Sequence, residues 1–154
     1  MKLIIQIPAW NEERHLPRAL AALPTEVPGF DQLEVLVIDD GSSDRTAEVA
    51  REHGAQVVQM PTHRGLAVAF STGLAAALER GADVIVNTDA DSQYDARDIP
   101  LLTVPILNGE AQMVIGDRQI GGLKHFSAAK KVLQKLGSAV VRRLSRTPVR
   151  DVTS

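Results

Sequence analysis

Apolar and polar positions along this chain alternate between two rhythms. Short apolar-rich runs of strand length fall at residues 3–7, 33–38, 55–59, 83–86 and 112–115. Between them the apolar positions take helical spacing. Asn11 is placed to cap a helix running to about Leu23, with Leu16, Leu20 and Leu23 on one face. Ser43 or Asp44 caps a second helix ending near His53-Gly54, and residues 65–80 form a third, closed by Gly81. Residues 95–108 read as a fourth helix despite Pro100 and Pro105, while Pro8 ends the first strand. Strands alternating with helices predict an α/β fold: a mostly parallel central sheet with helices on both faces. Residues 126–144 follow as a basic amphipathic helix, with Phe126, Leu133, Leu136, Val140 and Leu144 on one face. Lys130, Lys131, Lys135, Arg142 and Arg143 occupy much of the rest.

Composition narrows the classes. At 154 residues and 44% hydrophobic, the chain can bury one real core. Aromatics make up 3%, which argues against stacking platforms for single-stranded nucleic acid. The absence of cysteine excludes disulfides, thiolate metal sites and cysteine nucleophiles. No apolar run approaches the ~20 residues of a membrane span, and the first residues do not make a signal peptide. The expected location is therefore cytoplasmic.

Charge is unevenly spread. Residues 1–117 carry 8 Lys/Arg against 18 Asp/Glu, and residues 118–154 carry 9 against 1. An acidic body suits cations. A basic tail suits phosphate or an anionic membrane surface, with peripheral contact expected through 124–146. The organisation expected is a nucleotide-binding core over 1–118 and a basic region over 119–154.

Candidate chemistry gathers where apolar runs end. Asn87-Thr88-Asp89-Ala90-Asp91-Ser92-Gln93 follows Val84-Ile85-Val86, placing two carboxylates one residue apart with an amide oxygen two residues on. Oxygen ligands of this kind suit Mg2+ or Mn2+ shared with a phosphate. Ile38-Asp39-Asp40-Gly41-Ser42-Ser43-Asp44 repeats the design, and a carboxylate there can accept from a nucleobase N–H or a ribose hydroxyl. Pro8-Ala9-Trp10-Asn11-Glu12-Glu13 places the sole tryptophan at a strand tip, where it can stack on a base. Arg118, in Gly116-Asp117-Arg118, offers a guanidinium fork to phosphate or pairs with a carboxylate. His63, ahead of Gly65, reads as a turn or surface residue, and no Walker loop or G-x-G-x-x-G occurs.

These segments, in this order, resemble the family 2 glycosyltransferases, whose GT-A fold binds nucleotide sugars. Within the family they are most similar to the dolichol- and polyprenyl-phosphate mannosyl- and glucosyltransferases. The resemblance implies that Pro8, Trp10 and Glu12 line the nucleotide site, with Asp39 and Asp40 near base and ribose. It implies Asp89, Ala90 and Asp91 at the diphosphate, Asp89, Asp91 and Gln93 as metal ligands, and Arg118 on a phosphate. Trp10 stands where that subfamily often has tyrosine, and His63-Arg64-Gly65 replaces a more usual Asn-x-Gly. The ending at Asp151-Val152-Thr153-Ser154 looks like a C-terminal truncation, one residue before a Ser-Gly-Phe-Arg-like segment of the family.

The reaction implied is inverting, Mg2+- or Mn2+-assisted transfer of a sugar from a UDP- or GDP-sugar to a lipid-phosphate or glycan acceptor. The catalytic candidates are Asp91, Arg118 and Asp117, the last being the nearest general base should a hydroxyl acceptor need one. A lipid phosphate is already anionic and needs none. The rival readings are a non-catalytic nucleotide-sugar-binding fragment, a phospho-receiver module and a nucleotidyltransferase.

Overall fold

The structure is a computed structural model, described here for residues 1–91 and 95–116. Its element order is β1 (Lys2–Ala9), α1 (Leu16–Ala22), β2 (Gln32–Asp39), α2 (Thr46–Glu52), β3 (Gln56–Gln59), α3 (Leu66–Glu79), β4 (Val84–Asn87), a 3₁₀ turn (Ala96–Asp98) and α4 (Ile99–Leu107). The four strands form one sheet in the order β3-β2-β1-β4, and every pairing is parallel. The expected α/β architecture is present. The expected basic helix lies outside the described residues.

Strand alternation divides the core into two clusters. Leu3, Ile5, Ile7 and Ala9 of β1 and Val37 of β2 face Leu16 of α1, Val49 and Ala50 of α2 and Ile99 of α4. Ile4, Leu36 and Ile38 face Ala69, Ala76 and Ala77 of α3 on the other side. Burying a side chain such as Leu3, Ile4 or Ile5 contributes about 1.5–3 kcal/mol each. Gly73 lets α3 lie close to the sheet, because a Cβ there would meet Gln6 Oε1 and, at 2.8 Å, Ile38 Cδ1. Gln6 is fully buried and donates from Nε2 to Asn87 Oδ1 at 3.0 Å, tying β1 to the tip of β4.

Several local expectations are corrected. Pro8 lies within β1, which continues to Ala9. Gln6 O accepts from Thr88 N on the β4 side, so the Pro8 nitrogen faces that same side beyond the end of β4, where no ladder hydrogen bond is lost. Asn11 does not cap α1, which starts at Leu16 behind His15. It adopts φ 55 and accepts from Ser43 N at 2.8 Å, a tertiary partner that takes the place of the helix. The position capping α2 is Arg45, with no side-chain bond, although Asp44 Oδ1 accepts from Thr46 N at 3.0 Å just outside it. Residues 95–108 divide into the 3₁₀ turn and α4, with Pro105 inside the helix. Residues 112–115 form no strand, and Met113 and Ile115 are exposed. Their backbone has no strand partner among the described residues, and an apolar run without a ladder is not a strand.

Candidate active site

The topology points to one edge. β1 continues through β2 to β3 on one side and has β4 on the other, and a parallel sheet binds ligands above the carboxyl ends of its strands at such a reversal. The tips of β1, β2 and β4 carry Trp10, Asp39-Asp40 and Asp89-Ala90-Asp91. The three candidate segments share this edge.

The β1 and β2 tips are sewn together by side chains accepting from backbone amides. Asn11 N donates to Ser42 Oγ at 2.9 Å and Glu12 N to Thr46 Oγ1 at 2.8 Å. Glu13 N donates to Asp44 Oδ2 at 3.1 Å, and Arg45 N to Glu13 Oε2 at 3.0 Å. Burial pushes the Asp44 carboxyl up, but bonds from the Thr46 hydroxyl and the Glu13 and Thr46 amides outweigh it and hold its pKa below the ordinary value. Glu12 is half-buried and pairs with His15 Nδ1 at 2.8 Å. Pro8 is buried. The sequence reading missed Thr46, whose fully buried hydroxyl anchors the Glu12 backbone.

The two adjacent β2 carboxylates do different work. Asp40 is buried and fully engaged: Oδ1 accepts from Arg64 N, and Oδ2 from Gly65 N, both at 2.8 Å. His63 Nδ1 also lies 2.8 Å from Oδ2. Asp40 is thus the anion at the start of α3, favoured by the helix dipole and the unsatisfied amides there. Asp39 is equally buried, and its Oδ1 accepts from Ser42 N at 3.0 Å. Its Oδ2 has no hydrogen-bond partner among the described residues. A buried acceptor without a donor costs about 1–3 kcal/mol, so this oxygen suits a donor that the described residues do not supply.

Trp10 is half-exposed and stacks on His63, with ring centroids 4.1 Å apart and planes inclined by 21°. No sequence pattern pairs these two residues. They meet because Gly41 brings the β2 tip against the 62–63 backbone.

Beyond the end of β4, Ala90 is buried in the core cluster beside Ala9 and Ile99, fixing the loop between a half-buried Asp89 and an exposed Asp91. Among the described residues no three acidic or histidine side chains converge on a metal position. Two carboxylates still fit Mg2+ or Mn2+, because such ions take one or two protein carboxylates and complete their shell with phosphate and water. Gln93, Asp117 and Arg118 lie outside the described residues. At the opposite edge, the hollow lined by Met1, Lys2, Asp31, Gln32, Arg80, Gly81 and Asp83 is occupied by internal ion pairing. Met1 pairs with Asp31, and both Lys2 and Arg80 pair with Glu34.

Residues 4–146 match the family model described as glycosyl transferase family 2. The chain belongs to glycosyl transferase family 2. The undecaprenyl-phosphate mannosyltransferase of Micrococcus luteus is 33% identical over 161 residues, covering 100% of this chain and 64% of that protein. The dolichol-phosphate mannosyltransferase of Pyrococcus furiosus is 31% identical, covering 99% of this chain and 43% of the relative. Among solved structures, glucosyl-3-phosphoglycerate synthase from Mycobacterium tuberculosis, in complex with Mn2+, UDP-glucose and phosphoglyceric acid, superposes with a TM-score of 0.58. It is 30% identical over 71% of this chain and 40% of its own. The family 2 chain spans between 53% and 64% of the length of the first curated relatives it matches. Family membership removes the phospho-receiver and nucleotidyltransferase readings. No helix among the described residues is long and apolar enough to cross a membrane.

Proposed function

We propose that this chain carries the donor-binding core of an inverting glycosyltransferase that moves a sugar from a UDP- or GDP-sugar to polyprenyl phosphate at a membrane surface. The observation that carries the donor half is the unpartnered, buried Asp39 Oδ2 at the sheet edge that also bears Asp89 and Asp91. A nucleobase N–H reaching that oxygen supplies the missing donor, and the half-exposed Trp10 gives the base an apolar neighbour. Asp40 takes no direct part, since its oxygens are held by the Arg64 and Gly65 amides.

Asp89 and Asp91 would hold Mg2+ or Mn2+, with Gln93 as a third oxygen ligand. Such an ion, when bound, neutralises charge on a diphosphate as a Lewis acid. Arg118 adds fixed positive charge for a donor or acceptor phosphate. The acceptor oxygen attacks the sugar's anomeric carbon from the face opposite the bond to the diphosphate. That bond breaks, its electron pair leaves with the nucleotide, and the configuration inverts. A phosphate acceptor brings its own negative charge. A hydroxyl acceptor would call on Asp117 as base.

The polyprenyl-phosphate acceptor is supported by the names of the mannosyltransferase relatives and by the excess of positive charge in 118–154. That excess would draw the protein to an anionic cytoplasmic membrane face. The structural neighbour instead holds phosphoglyceric acid, so the shared feature is an acceptor bearing phosphate. A second reading is a chain that binds nucleotide sugar without turnover.

The test is incubation with radiolabelled GDP-mannose or UDP-glucose, manganese, and vesicles containing undecaprenyl phosphate. Label moving into the organic phase supports the reading. Nucleotide binding without any transfer supports the second one.

A further inference from the structure

We propose that His63 is a positioning residue for the donor base, holding the Trp10 ring in place with Asp40 as its anchor. The proposal rests on the donor-site reading above and extends it to a residue outside the acidic and aromatic tips.

Three observations converge. The His63 ring stacks on the Trp10 indole with centroids 4.1 Å apart. Its Nδ1 is 2.8 Å from Asp40 Oδ2. Asp40 is 2% exposed and also binds the amides of Arg64 and Gly65, the two residues that follow His63. The imidazole is therefore fixed both through its own ring nitrogen and through the backbone just after it. Side-chain alternation puts Asp40 and Trp10 on the α3 side of the sheet, where the loop before α3 delivers His63. Asp39 points to the other side, so a base bound between the strand tips would contact the carboxylate at one place and the indole at another. A tryptophan half-exposed at a strand tip would otherwise lose rotamer freedom when ligand binds. With His63 against one face, that freedom is lost during folding, and the ring is preorganised for the base. The bonding pattern also explains why two acidic residues stand together: Asp39 is left for ligand, and Asp40 fixes the wall.

Trp10 is the sole tryptophan of the chain, so its fluorescence reports ring position without interference. The experiment compares wild type, His63→Ala and His63→Phe by acrylamide quenching of Trp10 and by calorimetric titration with UDP and GDP plus manganese. Thermal melts serve to match folded fractions. His63→Ala should leave Trp10 more accessible to quencher and weaken nucleotide binding roughly 3- to 10-fold, the range an aromatic pair contributes. His63→Phe loses only the Nδ1 contact and keeps a ring seated by the Asp40-bound amides of Arg64 and Gly65, so it should restore protection from quencher and most of the affinity. A His63→Ala variant that quenches and binds like wild type overturns the proposal while leaving the donor site intact. Loss of affinity that His63→Phe does not restore also overturns it, because the ring is then not the operative part. Wild type binding neither nucleotide overturns the donor-site reading itself, and this proposal with it.

Discussion

Gly41 offers a sharp test of how the site is built. Its φ is +67, and a Cβ added there would sit 2.5 Å from His63 N, with Thr62 backbone atoms closer still or nearly as close. Gly54 makes a natural control: its φ is +81, but nothing lies within 4 Å of an added Cβ. Alanine at either position incurs left-handed strain of about 1–2 kcal/mol. Only at Gly41 does it also force backbone apart, an overpacking cost of about 1–3 kcal/mol. Gly41→Ala should therefore lose about 2–5 kcal/mol and Gly54→Ala about 1–2. Any gain from a less flexible unfolded chain applies to both and cancels in the comparison. Urea denaturation at constant slope measures the difference. Since the backbone displaced leads directly into His63, Gly41→Ala should also raise quencher access to Trp10, and Gly54→Ala should not. Equal destabilisation of the two variants, within about 0.5 kcal/mol, would refute the claim that the 62–65 loop is seated by close approach to Gly41.

Asp44 has a folded pKa below 3.8, so its contribution to stability is complete above that value and is lost as pH falls through the lower folded pKa. Asp44→Asn should flatten the acid limb of unfolding free energy against pH, measured by denaturation between about pH 5 and 2. Chelation with EDTA should weaken binding of whichever nucleotide, UDP or GDP, the wild type takes, but leave Asp91→Ala unchanged, because that variant has already lost a proposed metal ligand. Binding in the variant that still falls with EDTA would move the metal elsewhere.

Much of this was legible in the sequence, for physical reasons. Strands packed on both faces must carry apolar residues at successive positions, so the buried β1 and β2 and the half-buried β3 and β4 stood out, and their alternation with helices determined the parallel sheet. The acidic tips were legible because charge directly after a buried strand has few structural uses. What escaped depended on partners distant in sequence. Asn11 followed by two glutamates reads as a helix start, yet the Ser43 amide claims its side chain. Asp39 and Asp40 look equivalent as letters. Only the arrival of α3's first amides at Asp40 separates a structural anion from an unpartnered one. His63 carried no local signal, because its role arises from a loop crossing made possible by Gly41. The run 112–115 had the composition of a strand without a neighbour to pair with among the described residues.

The most direct test of the central claim is calorimetric titration of UDP and GDP with manganese into wild type and Asp39→Asn. The substitution is nearly isosteric and can keep the bond from Ser42 N, but it turns the unpartnered acceptor into an N–H donor. Wild type should bind one of the nucleotides, and Asp39→Asn should bind it roughly 10- to 100-fold more weakly, as expected for loss of a hydrogen bond to a charged group. Unchanged affinity in Asp39→Asn, together with a higher melting temperature, would contradict the account. The buried oxygen would then be a structural feature that an amide satisfies better, and the base would have to bind elsewhere.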